Sequence, residues 1–315
     1  MTTVSVIMPA FNVEPFVGAA LGSALSQTFD DFEVIVVDDG SDDGTAAAVT
    51  SVAGSDRRVR LVRQANRGLA GARNTAMRAA RGEYFALLDS DDLWEPDFLA
   101  AQMDVLRSDP GVAIVTGNAW YLGGVSDGQP ARPCPDSRPE PNLASIIADE
   151  WSIFIMSVMR RDVYAAIGAF DESMRSNEDY DFWLRAALAG FRFVRNDRPL
   201  GRYRVRPESL SADHARMLRG ILTVYRKLRA ALAGRPYELA VLEAQTTRFE
   251  AELLAAEAGM ALDASDFEAA RAHLSALHAR RGGAALAIAR VLARWSPRVL
   301  KQMRKLKGVS RKPVS

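Results

Sequence analysis

The chain has 315 residues, 48% of them apolar and 25% charged, the composition of an ordinary soluble protein with core enough for one large domain or two modest ones. Its single cysteine, Cys134, excludes an internal disulfide, so nothing requires an oxidising compartment. The net charge of +1 conceals an asymmetry: no acid follows Glu268 while 12 Lys and Arg do, which leaves residues 1–268 with 28 basic against 39 acidic side chains.

Met1 leads directly into a strand pattern at Val4–Met8, with no basic and apolar leader before it. No stretch reaches the roughly 18 uninterrupted apolar residues of a spanning helix. The expected location is the cytoplasm, with a peripheral position on the inner face of the plasma membrane as the variant. After the first strand, closed by Pro9, a helix is predicted from about Asn12 to Gln27, with Val17, Ala20, Leu21, Ala24 and Leu25 on one face. Glu33–Val37 reads as a second strand. The loop behind it, Asp38-Asp39-Gly40-Ser41-Asp42-Asp43-Gly44-Thr45, is too acidic to cradle a phosphate by itself. A helix over Thr45–Val52, a strand over Val59–Arg63 and a helix over Leu69–Ala80 follow.

The next stretch, Gly82 to Trp94, organises the rest. Tyr84–Leu88 is a buried-strand pattern, and three acids, Asp89, Asp91 and Asp92, arrive within four residues of its end. Ligands of open α/β sheets bind outside the carboxyl ends of the strands. Crowded carboxylates call for a positive partner, and hard oxygen ligands suit Mg2+ or Mn2+ completed by substrate phosphates. The plainer alternative is a solvated turn whose Asp92 caps the following helix. Strand–helix alternation at this spacing predicts an α/β fold with a mostly parallel, doubly wound sheet.

Pro96 opens a helix continued by Asp97–Leu106, and Val112–Thr116 is a fifth strand. Gly123–Pro141, with three glycines and five prolines, reads as a long surface loop of the kind that serves as a lid or specificity element. Trp151–Met159 regains β character, and Ala165–Glu172 ends a short helix in a glycine turn. Ser176–Arg185 then starts an amphipathic helix that buries Tyr180, Trp183, Leu184, Ala187 and Leu188 and ends at Gly190. Its N-terminal acids have two readings: a capping box of Ser176 with Asp179, or a carboxylate presented to a cleft as general base. Phe191–Val194 and Gly201–Val205 read as short strands. From about His214 the pattern is helical, broken at Ala230–Pro236 and Asp263–Phe267, and Ser296-Pro297 restarts a last helix. That helix sets Val299, Leu300, Met303 and Leu306 against Arg298, Lys301, Arg304, Lys305 and Lys307. Such a helix suits an anionic membrane surface through Ser296–Ser315, or is a plain surface helix. No nucleic-acid partner is expected, because the body is acidic and the tail has one aromatic, Trp295. The histidines, His214, His273 and His278, make no ligand set.

Five stretches in order, VSVIMPAFN (Val4–Asn12), EVIVVDDGSDDGT (Glu33–Thr45), NRGLAGARN (Asn66–Asn74), Gly82–Trp94 and NEDYDFWLR (Asn177–Arg185), together resemble family 2 glycosyltransferases. The resemblance covers about residues 3–210. It implies a GT-A fold over 1–212, with a nucleotide-sugar half at about 1–120 and an acceptor half at 121–212, ahead of a helical region at 213–315. It further implies an inverting transferase of hexosyltransferase type in cell-surface polysaccharide or glycoconjugate synthesis. The donor is a nucleotide-sugar, UDP-linked by preference, and the acceptor a saccharide or lipid-linked saccharide. By the same resemblance Phe11 lies against the nucleobase, and Asp39 accepts from a base N–H in a pocket shaped by Pro9, Asn12 and Gly40. Arg73 holds the acidic cluster or the nucleotide, Asp89 and Ser90 face ribose and diphosphate, and Asp91 ligates the divalent metal. Asp179 is the base, supported by Glu178. One departure stands out: Tyr203–Ser211 is similar to a family stretch that often carries His where Arg206 stands, and a guanidinium pairs with diphosphate but cannot ligate a metal. Three other classes fit the sequence less well. A non-catalytic scaffold subunit need not keep Asp39, Asp91 and Asp179 together. A nucleotidyltransferase wants basic residues in Pro9–Gly18, where there are none, and a Rossmann dehydrogenase wants a G-x-G-x-x-G after the first strand.

Overall fold

A computed structural model describes residues 2–206, 209 and 212–310, the side chains of 304–310 excepted. The chain divides into two compact units, Met1–Glu208 and Ser209–Ser315. In the first, strands β1 (Val4–Ala10), β2 (Phe32–Asp38), β3 (Val59–Arg63) and β4 (Tyr84–Leu87) alternate with helices α1 (Glu14–Leu25), α2 (Thr45–Ala53) and α3 (Gly68–Ala79). There follow β5 (Leu93–Trp94), α4 (Phe98–Ser108), β6 (Val112–Leu122), α5 (Leu143–Ala148), β7 (Ser157–Arg160), α6 (Arg161–Ile167), α7 (Glu178–Leu188) and β8 (Arg192–Arg204). The strands form one eight-stranded sheet in the order β3-β2-β1-β4-β7-β6-β8-β5. β1 to β4 are mutually parallel, and β6 is parallel to β8; β7 and β5 run against their neighbours. The mostly parallel α/β sheet read from the sequence is therefore present.

β1 and β2 are buried on both faces, as mostly apolar runs require of central parallel strands, with the buried Ser5 and Glu33 paired to each other. A close approach fixes the entry to β4. A Cβ on Gly82 would lie 2.6 Å from the Ser5 amide nitrogen, so only glycine fits there. The Gly82 N–H donates to Ser5 Oγ, which in turn donates to Glu33.

Four features depart from the sequence reading. β6 runs on to Leu122, well past Thr116, and β8 is one strand where two were expected. The Asn196-Asp197-Arg198-Pro199 stretch carries turn chemistry, but pairing with β6 holds it in the sheet through register shifts around Asn118. β5 and α5 were not anticipated, the first being only two residues long. Within Trp151–Met159 only the last three residues enter a strand.

The second unit comprises α8 (His214–Ala231), α9 (Pro236–Ala264), α10 (Phe267–Arg281), α11 (Ala284–Trp295) and α12 (Pro297–Ser310). Asp213 and Asp266 cap α8 and α10 by accepting from the N–H groups of Arg216 and Ala269. Both breaks fall where the sequence places them. The predicted basic helix corresponds to α12, with residues 311–315 outside the described chain. Among the described residues no helix is long and apolar enough to cross a membrane.

Candidate active site

β1, β2, β4, β6 and β8 point the same way, so their carboxyl ends share one edge of the sheet. At the end of β4 the chain turns tightly, the Asp92 N–H donating to the Asp89 carbonyl. This turn separates the acids by direction. Asp89 meets Arg73 Nη2 at 2.8 Å, while Asp91 Oδ2 accepts from Arg206 Nη2 and Nε at 2.6 and 2.9 Å. Asp92 turns inward, where Oδ1 accepts from the Arg204 N–H at 2.7 Å and Oδ2 is buried without a partner. Burial first, then the charges of Asp91 and Asp89, hold the Asp92 carboxyl well above the usual range, and a neutral acid suits that position. Asp92 thus anchors β8 and caps no helix; α4 begins only at Phe98. Arg204 also donates from Nε to the Asp91 carbonyl at 2.7 Å, and both Arg204 and Arg206 lie over the Phe16 ring.

Arg73, on α3, is the centre of the arrangement. It is 2% exposed, yet it reaches both the β4 turn and the first residue of α7, meeting Glu178 Oε1 at 2.5 Å. The resemblance allowed Arg73 either the acidic cluster or the nucleotide; the structure gives it the cluster. One buried guanidinium faces Asp89, Glu178 and Asp179, and three carboxylates exceed its charge. Burial accordingly pushes Glu178 up to about 7 and raises Asp179 as well, with Arg73 opposing both. Asp179 is partly buried, and its Oδ1 accepts from the Tyr180 N–H at 2.8 Å. The capping box reads the helix start one residue early: the N-cap is Asn177, in a left-handed conformation (φ 60°) and without a side-chain cap bond.

Two residues that the sequence reading passed over as individuals hold the segment that leads into α7 against α3. Asn74, one helical residue beyond Arg73, is buried, and its amide donates to the Phe170 carbonyl and accepts from the Phe170 N–H. Glu172 accepts from Asn74 and from Arg67 at 3.0 and 2.7 Å. Further along, Arg185 donates to Asp181 and to the carbonyls of Ile167 and Ala169, which ties the helix to the end of α6. The signal for Asn74 was its place in NRGLAGARN; its partner lies 96 residues away and no local pattern reveals it.

At the ends of β1 and β2, Asp39 Oδ1 accepts from Gln64 Nε2 and the Arg67 N–H at 2.6 and 3.0 Å, and Oδ2 has no hydrogen-bond partner among the described residues. Gly40 (φ 80°) lies so close to Asn66 that a Cβ would sit 2.9 Å from its amide nitrogen. Asn12 (φ 50°) joins the two strand ends, its N–H donating to Ser41 Oγ and its Oδ1 accepting from the Asp42 N–H. Phe11 is 48% exposed beside them. The Ser90 side chain is buried and its hydroxyl donates to the Pro9 carbonyl, which joins β1 to the β4 turn. Among the described residues no three carboxylate, thiolate or imidazole groups converge on a metal position. Asp91 keeps Oδ1 clear of Arg206. A hard divalent ion that takes one protein carboxylate and completes its shell with substrate phosphate fits this donor set, whereas an all-protein cage does not.

An eight-stranded sheet of this order with an acidic β4 turn is the GT-A type of α/β fold, and solved structures share it. TarS of S. aureus in complex with UDP is 26% identical, covers 80% of this chain and 70% of its own, and superposes with a TM-score of 0.57. The same protein with UDP-GlcNAc gives 0.64 over 97% and 92% of the two chains at 20% identity, a likeness of fold. The model of glycosyl transferase family 2 matches residues 5–168, and the chain belongs to that family. The succinoglycan biosynthesis protein ExoW of Rhizobium meliloti is 32% identical over 233 residues, 68% of this chain and 72% of that protein. An Escherichia coli enzyme, UDP-Glc:alpha-D-GlcNAc-diphosphoundecaprenol beta-1,3-glucosyltransferase WfgD, is 39% identical over 116 residues. The chain spans less than half the length of several curated relatives, 45% in the case of WfgD and 16% for the chondroitin synthase of E. coli. The family match ends before α7, so the pairing of Arg73 with Glu178 is a finding of the geometry.

Proposed function

We propose that the chain is an inverting glycosyltransferase of hexosyltransferase type. It moves a sugar from a nucleoside diphosphate donor, a UDP-sugar by preference, to a hydroxyl of a saccharide or lipid-linked saccharide in cell-surface polysaccharide synthesis. One observation carries this reading: Arg73 joins the acidic turn after β4 to the Glu178-Asp179 start of α7, so a donor-diphosphate site and a candidate base share one buried cation. The names of the relatives that bind UDP or assemble polysaccharide support the donor class and the setting.

Residues 1–120 form the donor half and 121–212 the acceptor half. Phe11 offers its exposed ring to the base, and Asp39 accepts the N3–H of uracil through Oδ2, with Pro9, Asn12 and Gly40 shaping the pocket. Asp89 faces the ribose. Asp91 holds a divalent ion, Mg2+ or Mn2+, which when bound neutralises charge on the departing diphosphate. Arg206, already on Asp91, adds a guanidinium beside the same phosphates. Asp179 takes the proton of the acceptor hydroxyl. The freed oxygen attacks the anomeric carbon as the bond to the diphosphate breaks from the opposite face, and the nucleoside diphosphate leaves with the electron pair. Glu178, fixed by Arg73, holds Asp179 in place.

The test is incubation with UDP-Glc, UDP-GlcNAc and GDP-Man, with Mn2+ and with EDTA, following nucleotide release and the anomeric configuration of the product. Metal-dependent turnover with inversion is expected for one donor. Retention of configuration would overturn the mechanism, and folded protein that binds no nucleotide would point to a scaffold subunit instead.

A further inference from the structure

The loop at 123–141, read from its composition as surface chain, carries one deeply buried guanidinium. Arg132 is 7% exposed and donates from Nη1 to the Ser152 carbonyl and from Nη2 to Thr116 Oγ1 and the Gly117 carbonyl, at 2.9 to 3.1 Å. These bonds use three of its five N–H donors. Among the described residues Nε is buried with no acceptor, and the hydrogen-bond partners of the guanidinium are all neutral. The acids whose charge it feels, Asp136 and Asp149, are taken by other arginines: Arg138 binds both and Arg195 lies 3.7 Å from Asp136. A buried cation without a counter-ion is costly, and such a group is normally paired.

Beside Arg132 lies a cavity of about 270 Å³ lined by Tyr121, Ala131, Arg132, Trp151 and Phe154. Trp151, at the cavity, is 52% exposed and offers a free aromatic face. The cavity also has a physical link to the reaction centre. The Tyr203 ring packs against Phe154 and Tyr121, with centroids 5.4 and 6.1 Å apart, and the next residue on β8 is the Arg204 that holds the Asp91-Asp92 turn.

From this juxtaposition we propose that the cavity is an acceptor subsite for an acidic sugar, whose anionic group pairs with Arg132 while its ring lies on Trp151. The proposal rests on the glycosyltransferase reading and names the acceptor class. A planar guanidinium suits carboxylate and phosphate alike, and aromatic faces suit the apolar face of a sugar ring. Neutral sugars leave the Arg132 charge uncompensated and bind less well.

The experiment is calorimetric titration of the full chain, saturated with UDP to occupy the donor site, with a glucuronic acid oligosaccharide, a phosphate-bearing oligosaccharide and a neutral glucose oligosaccharide. One of the acidic probes is expected to bind at least tenfold more tightly than the neutral one, and which does so identifies carboxylate or phosphate as the anion. Trp151→Ala removes an exposed side chain and is expected to weaken that probe about tenfold with the thermal unfolding midpoint unchanged. Arg132→Met removes the charge and, in folded protein, is expected to abolish the preference for acid while UDP binding persists. Equal affinity for acidic and neutral probes, or acid binding that ignores Trp151→Ala, overturns the proposal. Binding is read without turnover, so failure of the subsite and failure of the transferase reading are separate outcomes.

Discussion

At Arg73 one positive charge faces three carboxylates, and this imbalance dictates how the site responds to change. Arg73→Ala leaves Asp89 and Glu178 without their counter-ion in a buried position; a loss of about 3–5 kcal/mol is predicted from urea unfolding. Glu178 binds its proton more tightly folded than unfolded, with the carboxyl raised from 4.5 to about 7. The folded state therefore holds more protons between those values, and stability falls as pH rises through that window. Glu178→Gln cannot titrate, so its unfolding midpoint is predicted to lose this slope between pH 4.5 and 7, a comparison that calorimetry makes directly. Asp179 has to be ionised to accept a proton. Its raised pKa predicts that transfer declines as pH falls through the titration of the pair. Asp179→Asn is predicted to lower kcat by about 10²–10⁴-fold while UDP binding persists. Normal transfer by that variant would leave Asp179 no role in proton transfer.

Between elements, the site depends on contacts that are distant in sequence. The segment between α6 and α7 is held to α3 through Asn74 and the Phe170 backbone, so Asn74→Ala leaves a buried N–H and a carbonyl unpaired at once. A destabilisation of about 1–3 kcal/mol is predicted. Because the Phe170 ring stacks on Phe182 of α7, the helix that begins with Glu178 and Asp179, kcat should fall more than KM rises; a rise confined to KM would detach Asn74 from the placement of that helix. Gly82→Ala drives a Cβ into the backbone of β1, where Val4 and Ser5 cannot yield without moving the strand. A loss of about 1–3 kcal/mol is predicted, read in the same unfolding assay. Elements with a strong local period, such as α3, α7 and the β1–β4 series, were legible from the sequence. β5, α5 and the unbroken β8 were not, since two residues of pairing, six of helix, or a Pro199 held in a sheet by its neighbour leave no local signature.

Across the whole chain, acids dominate up to Glu268 and bases follow it. α12 carries exposed Arg298, and Lys301 Nζ is bound to the Asp263 carbonyl and Ser265 Oγ. Full-length protein is predicted to sediment with anionic vesicles at low salt and to release as salt rises, and a chain lacking Ser296–Ser315 to stay in solution. Undiminished sedimentation of the shortened chain would remove the tail from that role. The amino-acid sequence by itself determined the sheet class, the order of the elements in the first half, the acidic turn after β4 and the family, because these rest on short-range periodicity and on stretches of fixed spacing. It also marked Asp179 as a candidate without choosing between cap and base. Tertiary structure alone brought the Ser90 hydroxyl onto the Pro9 carbonyl, Arg206 onto Asp91, Arg73 between Asp89 and Glu178, and Arg132 onto the Ser152 carbonyl. Each of these is a pairing of charges or dipoles across tens of residues, set by which strand ends the sheet brings to one edge, and no local pattern encodes it.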